Sequence, residues 1–311
     1  MDPGYNPPTG GDAMDIAATP LHPLFAARLV GADLSQPVVE GLARAIERAM
    51  DEYAVCVLPD QQLDDEQQIA FARLYGPLEV SPPMQSKSGG IGFNARVKHR
   101  EIFDVSNLDE RGEILDARDS RASYRLGNQL WHTDSSFRQK SAAWSMLHAR
   151  VIPPEGGDTE FADTRAAYDA LPDAMKRRLD GLVAEHSIWH SREKLGGYVP
   201  TEEERQLRPP ARHPLVRRHP GSGRQALYIA SHASHIIGMR VDEGRALLAE
   251  LIAFATQPRF VYVHKWRLGE LVIWDNRCTM HRATPFAATG HVRDMRRTTV
   301  IDTAAEAPAV A

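Results

Sequence analysis

The chain has 311 residues, 42% hydrophobic and 25% charged, with a formal net charge of -4. That balance suits a globular protein with a sizeable core, and the mild acidity without a long basic run argues against nucleic acid as a partner. No apolar stretch approaches the roughly 20 residues of a membrane helix, so no membrane association is expected. The start of the chain lacks a basic region followed by an apolar one, so no secretory signal is expected. Cys56 and Cys278 are the two cysteines, which fits reduced thiols of a cytoplasmic protein better than a disulfide framework.

Residues 1–18 are rich in Pro, Gly and Asp and read as a flexible leader, residues 19–303 as a single domain, and residues 304–311 as a flexible tail. Leu42, Ile46, Ala49 and Tyr53 recur at helical spacing and predict a helix over 39–53. Ala54 to Leu58 reads as a buried strand ended by Pro59. Asp64 and Gln67 form a capping-box pattern for a helix to about Leu74, and Gly76-Pro77 stops it. Val80 to Leu126 has few apolar runs, with only Glu101 to Ser106 strand-like, and is expected to be a lid. Strands are expected over Gln129–Phe137, Ser145–Ile152 and Asp158–Ala162. Asp163 or Thr164 caps a helix to Leu171, and Pro172 opens another to about Glu185. Ile188 to His213 reads as a second mobile loop and Leu215 to Ile229 as a hairpin turning at Pro220–Gly223. A helix over Val241–Ala255 and strands over Phe260–Trp266, Glu270–Trp274 and Asp294–Ile301 complete the chain. Strands gathered in the second half without βαβ alternation argue against a doubly wound sheet and favour an antiparallel double sheet.

The chemistry gathers at His132-x-Asp134 and at His281. On a strand His132 and Asp134 share a face while Thr133 points away. His281 follows the strand ending near Asp275 and supplies a third donor. Two histidines and one carboxylate on one side of a metal leave open positions opposite, the arrangement of non-haem Fe(II) oxygenases. Asp275 and Asn276 precede His281 and are candidates to orient it, or else form a turn. On the last strand Arg293, Met295, Arg297 and Thr299 share one face and Arg296 the other. Two inward arginines call for anionic partners, and guanidinium forks grip carboxylates.

These blocks, with Gly156-Gly157-Asp158-Thr159 and Asn128-Gln129-Leu130-Trp131-His132-Thr133-Asp134, resemble the TfdA/TauD family of Fe(II)- and 2-oxoglutarate-dependent dioxygenases from about Leu21 to Ile301. The chain is most similar to the TfdA branch, the aryloxyacetate (2,4-D type) dioxygenases. The resemblance implies a mainly β fold with flanking helices around a double-stranded β-helix (jelly roll) core. It implies Fe(II) held by His132, Asp134 and His281, with 2-oxoglutarate and O2 as co-substrates. It puts the distal carboxylate of 2-oxoglutarate on Thr159 and Arg293, and the acidic group of a small anionic substrate on Arg297. Asn128, Trp131 and His232, the last in Ser231-His232-Ala233-Ser234-His235, fall near the substrate, and Lys87 on the lid adds positive charge. Cys278 is not a family ligand. His281 and Arg293 lie twelve residues apart, one more than the family spacing, which an extra residue in the 287–290 loop explains. The implied reaction on an aryloxyacetate gives a phenol, glyoxylate, succinate and CO2. Taurine, an alkyl sulfonate, a sulfate ester or another small carboxylate satisfies the same arginine. A sensor that binds an acid without turnover would require a broken ligand set, and here all three donors are present. Assembly into a homo-oligomer stays open, because interface patches are not legible in sequence.

Overall fold

The computed structural model describes residues 16–81, 96–116, 126–194 and 199–304. Among them the chain is mainly β with helices on the outside. The strands are β1 (Ala17–Pro20), β2 (Ala27–Val30), β3 (Val55–Leu58), β4 (Phe103–Asp104), β5 (Ala142–Val151), β6 (Thr159–Asp163), β7 (Val183–His186), β8 (Ala211–Pro214), β9 (Val216–Arg218), β10 (Gln225–Leu227), β11 (Ala233–Ile236), β12 (Val261–His264), β13 (Leu271–Asp275), β14 (Thr279–Ala283) and β15 (Asp294–Ile301). A seven-stranded sheet runs β1-β2-β3-β13-β5-β15-β4, and a three-stranded sheet runs β12-β6-β14. The smaller sheets are β11-β7-β8 and β10-β9. In the large sheet the β2–β3 pair is parallel and the others are antiparallel. Among the described residues these hydrogen-bonded sheets do not close on themselves.

The large sheet is covered on both faces, which is why β3 reads as an unbroken apolar run. Cys56, Leu58, Met146, Leu271 and Ile273 face the helices α1 (Glu40–Tyr53) and α2 (Asp65–Arg73), meeting Leu42, Ile46, Met50, Ile69 and Phe71. Ile46 is fully buried there, and its truncation to Ala is worth about 2–5 kcal/mol. The alternate residues Val55, Val57, Leu147, Val272, Trp274 and Met295 face the other way and meet Phe161 of β6. The three-stranded sheet therefore packs on this inner face, and the site forms between the two sheets.

Several expectations are corrected. Gln129–Phe137 is not a strand: residues 126–129 form a 3-10 turn and residues 134–137 a tight turn, with Ser135 at φ 54°. The helix expected to run from Pro172 to Glu185 stops at Leu179, and Val183–His186 is β7, paired to β8 and β11. The 188–213 segment holds helices Ile188–Glu193 and Glu202–Leu207 and most of β8 rather than a bare loop. Ala17 and Ala18, assigned to the leader, belong to β1. His281 does not merely follow a strand; it sits within β14. Of the expected lid, residues 96–116 are tied to β15: Phe103 and Asp104 pair with it, and Arg96 binds Asp294 at 2.7 Å. Lys87 and the rest of that lid lie outside the described residues, as do residues 1–15 and 305–311. The capping box at Asp64 and Gln67, the Val241–Ala255 helix and the bounds of β15 agree with expectation.

Candidate metal centre

His132 and His281 meet through their backbones before their side chains. Each peptide N–H donates to the other's carbonyl, at 3.0 Å from His132 and 2.7 Å from His281, an isolated antiparallel bridge. Residues directly opposite in such a bridge project side by side, and the two imidazole rings lie 4.2 Å apart. Two residues beyond His132, where the chain enters a turn, the Asp134 carboxylate lies beside them, with Oδ2 3.8 Å from His281 Nε2. The donor atoms of His132, Asp134 and His281 all lie within 4.8 Å of one another, and all three residues are buried.

The protonation states suit a divalent cation. His132 Nδ1 is 2.7 Å from the Leu130 carbonyl; a carbonyl can only accept, so Nδ1 carries the proton and Nε2 keeps its lone pair. Burial holds both His132 and His281 below the usual imidazole range. For Asp134 burial opposes ionisation, but the Arg297 guanidinium, the largest opposing influence, and the Ser145 hydroxyl help keep the carboxyl well below the usual carboxylate range. Two neutral imidazoles and one carboxylate are the donors of an open two-His, one-carboxylate site.

Residues around the donors fix Asp134. Ser145 Oγ donates to Asp134 Oδ2 at 2.7 Å, and Arg297 Nη1 donates to Oδ1 at 2.5 Å. Asn276 Oδ1 accepts the Asp134 backbone N–H at 3.0 Å, and its Nδ2 donates to Ser145 Oγ at 2.9 Å. Trp274 Nε1 donates to Asn276 Oδ1 at 3.0 Å, fixing which way the amide points. Ser145 was not singled out in the sequence, and nothing in its strand marks it beyond lying on the inner face. Asp275 turns the other way and accepts from Arg277 at 2.6 Å and Trp144 at 2.8 Å, with His219 Nε2 2.9 Å away. His219, Asp275 and Cys278 also converge, but the Asp275 oxygens are already engaged and burial pushes the Cys278 thiol up. That cluster is a closed structural network.

Arg293 and Arg297 differ. Arg297 is committed to Asp134, while Arg296 faces the opposite side of β15 and pairs with Asp104 and Asp294. Arg293 has no carboxylate within ion-pair distance among the described residues. It is 8% exposed, reaches only the Val105 carbonyl at 3.5 Å, and burial pulls its guanidinium down to about 10. A buried cation without a counter-charge is costly, so this position fits an external anion. Gly157, at φ 71°, a conformation L side chains rarely adopt, lies against it, with the place of a Cβ 3.5 Å from Arg293 Nε. Two residues on, Thr159 opens β6, buried, with Oγ1 accepting from Trp266 Nε1 at 3.0 Å.

The remaining candidates divide. His232 is buried beside the donors, its ring 6.0 Å from that of His132 and its Nδ1 3.3 Å from Ser136 Oγ. Asn128 is half-buried in the 3-10 turn. Trp131 packs on the core and takes Arg282 over its ring at 4.7 Å. His235 faces Glu185 at 3.8 Å. Two residues were not foreseen. Arg192 lies so close over Gly127 that a Cβ there would fall 1.2 Å from its Nη1. Glu79 is buried near Arg297, with burial pushing its carboxyl up against the pull of Arg138.

Two outcomes follow from this geometry. Asn276→Ala removes the partner of both the Asp134 backbone and Ser145, so divalent-metal affinity should fall about 10- to 100-fold; titration with Mn(II) checks it, and unchanged affinity contradicts the assigned role. The second concerns pH. His132, His186, His213, His232 and His281 are all held below the usual imidazole range, chiefly by burial. Below about pH 6.5 the unfolded chain binds protons that the native chain refuses. Stability of the metal-free protein is therefore full above that pH and falls as pH drops, which urea midpoints at about pH 7.5 and about pH 5.5 will register.

Comparison with known proteins agrees with this geometry. The family described as "Taurine catabolism dioxygenase TauD, TfdA family" matches residues 17–299. An α-ketoglutarate-dependent 2,4-dichlorophenoxyacetate dioxygenase of Cupriavidus pinatubonensis is 48% identical over 296 residues, covering 94% of this chain and 99% of its own. An (S)-phenoxypropionate/α-ketoglutarate dioxygenase of Sphingobium herbicidovorans is 38% identical over 285 residues, covering 89% and 91%. The crystal structure of AAD-2 with Mn(II) and N-oxalylglycine superimposes with a TM-score of 0.85 at 47% identity, covering 93% of this chain and 98% of that one. The chain belongs to the TauD/TfdA family of Fe(II)- and 2-oxoglutarate-dependent dioxygenases.

Proposed function

We propose that this enzyme oxidises an aryloxyacetate of the 2,4-dichlorophenoxyacetate type to a phenol and glyoxylate. The observation that carries the substrate class is the near-half identity with a 2,4-dichlorophenoxyacetate dioxygenase along almost the whole of both chains. In this reading the two facing sheets form a double-stranded β-helix core of a single catalytic domain. His132, Asp134 and His281 hold Fe(II), on the strength of their convergence and protonation states. Arg293, lacking a carboxylate partner among the described residues, takes the distal carboxylate of 2-oxoglutarate together with Thr159. Fe(II) with 2-oxoglutarate and O2 supplies the oxidation: the keto acid loses CO2 to become succinate, and one oxygen atom enters a substrate C–H bond.

The chain's own residues determine which bond that is. Arg297, anchored on Asp134 by Nη1, keeps a buried Nε without a protein partner, and its remaining N–H groups suit the substrate's carboxylate. That places the acid beside the ligand carboxylate and the adjoining carbon near the metal. His232, beside His132, and Asn128, in the turn before it, are assigned to the aryloxy part. Hydroxylation of the carbon between ether oxygen and carboxylate leaves a hemiacetal, which separates into phenol and glyoxylate. The buried free thiols Cys56 and Cys278 and the need for 2-oxoglutarate favour a cytoplasmic location.

Incubation with Fe(II), 2-oxoglutarate and 2,4-dichlorophenoxyacetate in air should release phenol and succinate in equal amounts, and His132→Ala should abolish both. Sulfite release from taurine without phenol release would replace the substrate assignment, and turnover surviving His132→Ala would remove the metal assignment.

A further inference from the structure

Trp266 follows β12 and leans over the start of β6. Its indole Nε1 lies 3.0 Å from Thr159 Oγ1. The ring is held edge-on to His264 at 4.6 Å between centroids. His264 is itself fixed: its backbone pairs with Thr159 across β12 and β6, its Nδ1 is 3.1 Å from the Tyr262 hydroxyl, and its Nε2 is 3.1 Å from Glu270 Oε2. The indole is therefore placed by packing on an element paired directly to the strand that carries Thr159.

The chemistry of the two groups gives this contact a direction. An indole N–H can only donate, so Thr159 Oγ1 is the acceptor. A threonine hydroxyl has a single proton, and with the indole on its lone-pair side that proton must go to another acceptor. Arg293 lies over Gly157, two residues before Thr159, as a buried cation lacking a counter-charge among the described residues. A carboxylate drawn to Arg293 is an acceptor only, and it needs Thr159 as a donor.

We propose that Trp266 is a positioning residue for the co-substrate: by filling the acceptor side of Thr159 Oγ1, its N–H commits the threonine proton to the distal carboxylate of 2-oxoglutarate. This rests on the co-substrate site assigned above to Thr159 and Arg293. The chain of donors runs one way, from indole to hydroxyl to carboxylate, and each link polarises the next. Without the indole N–H the hydroxyl is free to rotate toward other acceptors, and the keto acid loses a prepaid orientation. The 2-oxo acid end, which binds at the metal, is untouched, so the effect is confined to keto acids with a distal carboxylate.

The test is equilibrium binding to Mn(II)-loaded protein by calorimetry, without turnover. Trp266→Phe keeps the ring and removes the N–H; 2-oxoglutarate should bind about tenfold more weakly, while pyruvate, which lacks the distal carboxylate, binds as to the wild type. Thr159→Val should weaken 2-oxoglutarate similarly, and Trp266→Phe added to it should cost nothing more. In kinetics the KM for 2-oxoglutarate rises while kcat holds at saturation. If the Phe variant fails to fold, the wild type still decides: in Zn(II)-loaded protein the Trp266 indole proton should move downfield with 2-oxoglutarate and stay put with pyruvate. Wild-type affinity in Trp266→Phe, equal weakening of both keto acids, or an unmoved indole resonance overturns the inference. Thr159→Val binding 2-oxoglutarate normally would instead overturn the co-substrate site beneath it.

Discussion

Two peptide hydrogen bonds between His132 and His281 hold the site together. They join segments almost 150 residues apart and set two imidazoles side by side. Everything else in the centre is built on that bridge. Asn276 and Ser145 fix Asp134 beside the pair, and Arg297 keeps it ionised. Because His281 lies within β14, which pairs with β6, the donors inherit the rigidity of a sheet packed on the inner face of another. His132 and Asp134 lie on a turn segment, and the bridge to β14 together with the hydrogen bonds to Asn276 and Ser145 makes their ordering part of folding.

Charge divides the site into three roles. Asp134 is an anion balanced by Arg297 and destined for a cation. Arg293 is a cation balanced by no described carboxylate, and its burial makes that imbalance costly, which fits the proposed external acid. Arg296, one residue from Arg297, faces the opposite side of the same strand and pairs through Nη1 with Asp104 and Asp294. The alternation of a strand thus separates a structural arginine from a functional one. Trp266, whose indole N–H donates to Thr159, is the uncharged orienting element proposed for the co-substrate end.

Much of this was legible in the residues. The continuous apolar run of β3, the capping box at Asp64 and the period of Val241–Ala255 each declare themselves through one dominant local pattern. The three donors could be named because the spacing of His132, Asp134 and His281 sits inside recognisable neighbours. The reason they converge was misread. A strand would have placed His132 and Asp134 on one face by alternation, whereas the chain achieves it with an isolated bridge at His132 and hydrogen bonds that tie Asp134 to Asn276 and Ser145 at the start of a turn. β7 read as the tail of a helix because its four residues carry no strand period of their own and are held by partners on both sides. Ser145, Glu79, Arg192 and Trp266 were invisible for the same reason: their meaning comes from what the fold sets against them across long sequence separations.

The central claim is that His132, Asp134 and His281 take one metal ion, with Arg293 and Thr159 holding the far end of the keto acid. Crystals grown with Mn(II) and N-oxalylglycine test it most directly, through the anomalous signal of the metal and the density of the analogue. The account predicts a single metal peak bonded to those three side chains and the analogue's distal carboxylate on Arg293 and Thr159. A peak at His219, Asp275 and Cys278, or a distal carboxylate seated on Arg297 with Arg293 bare, would contradict it.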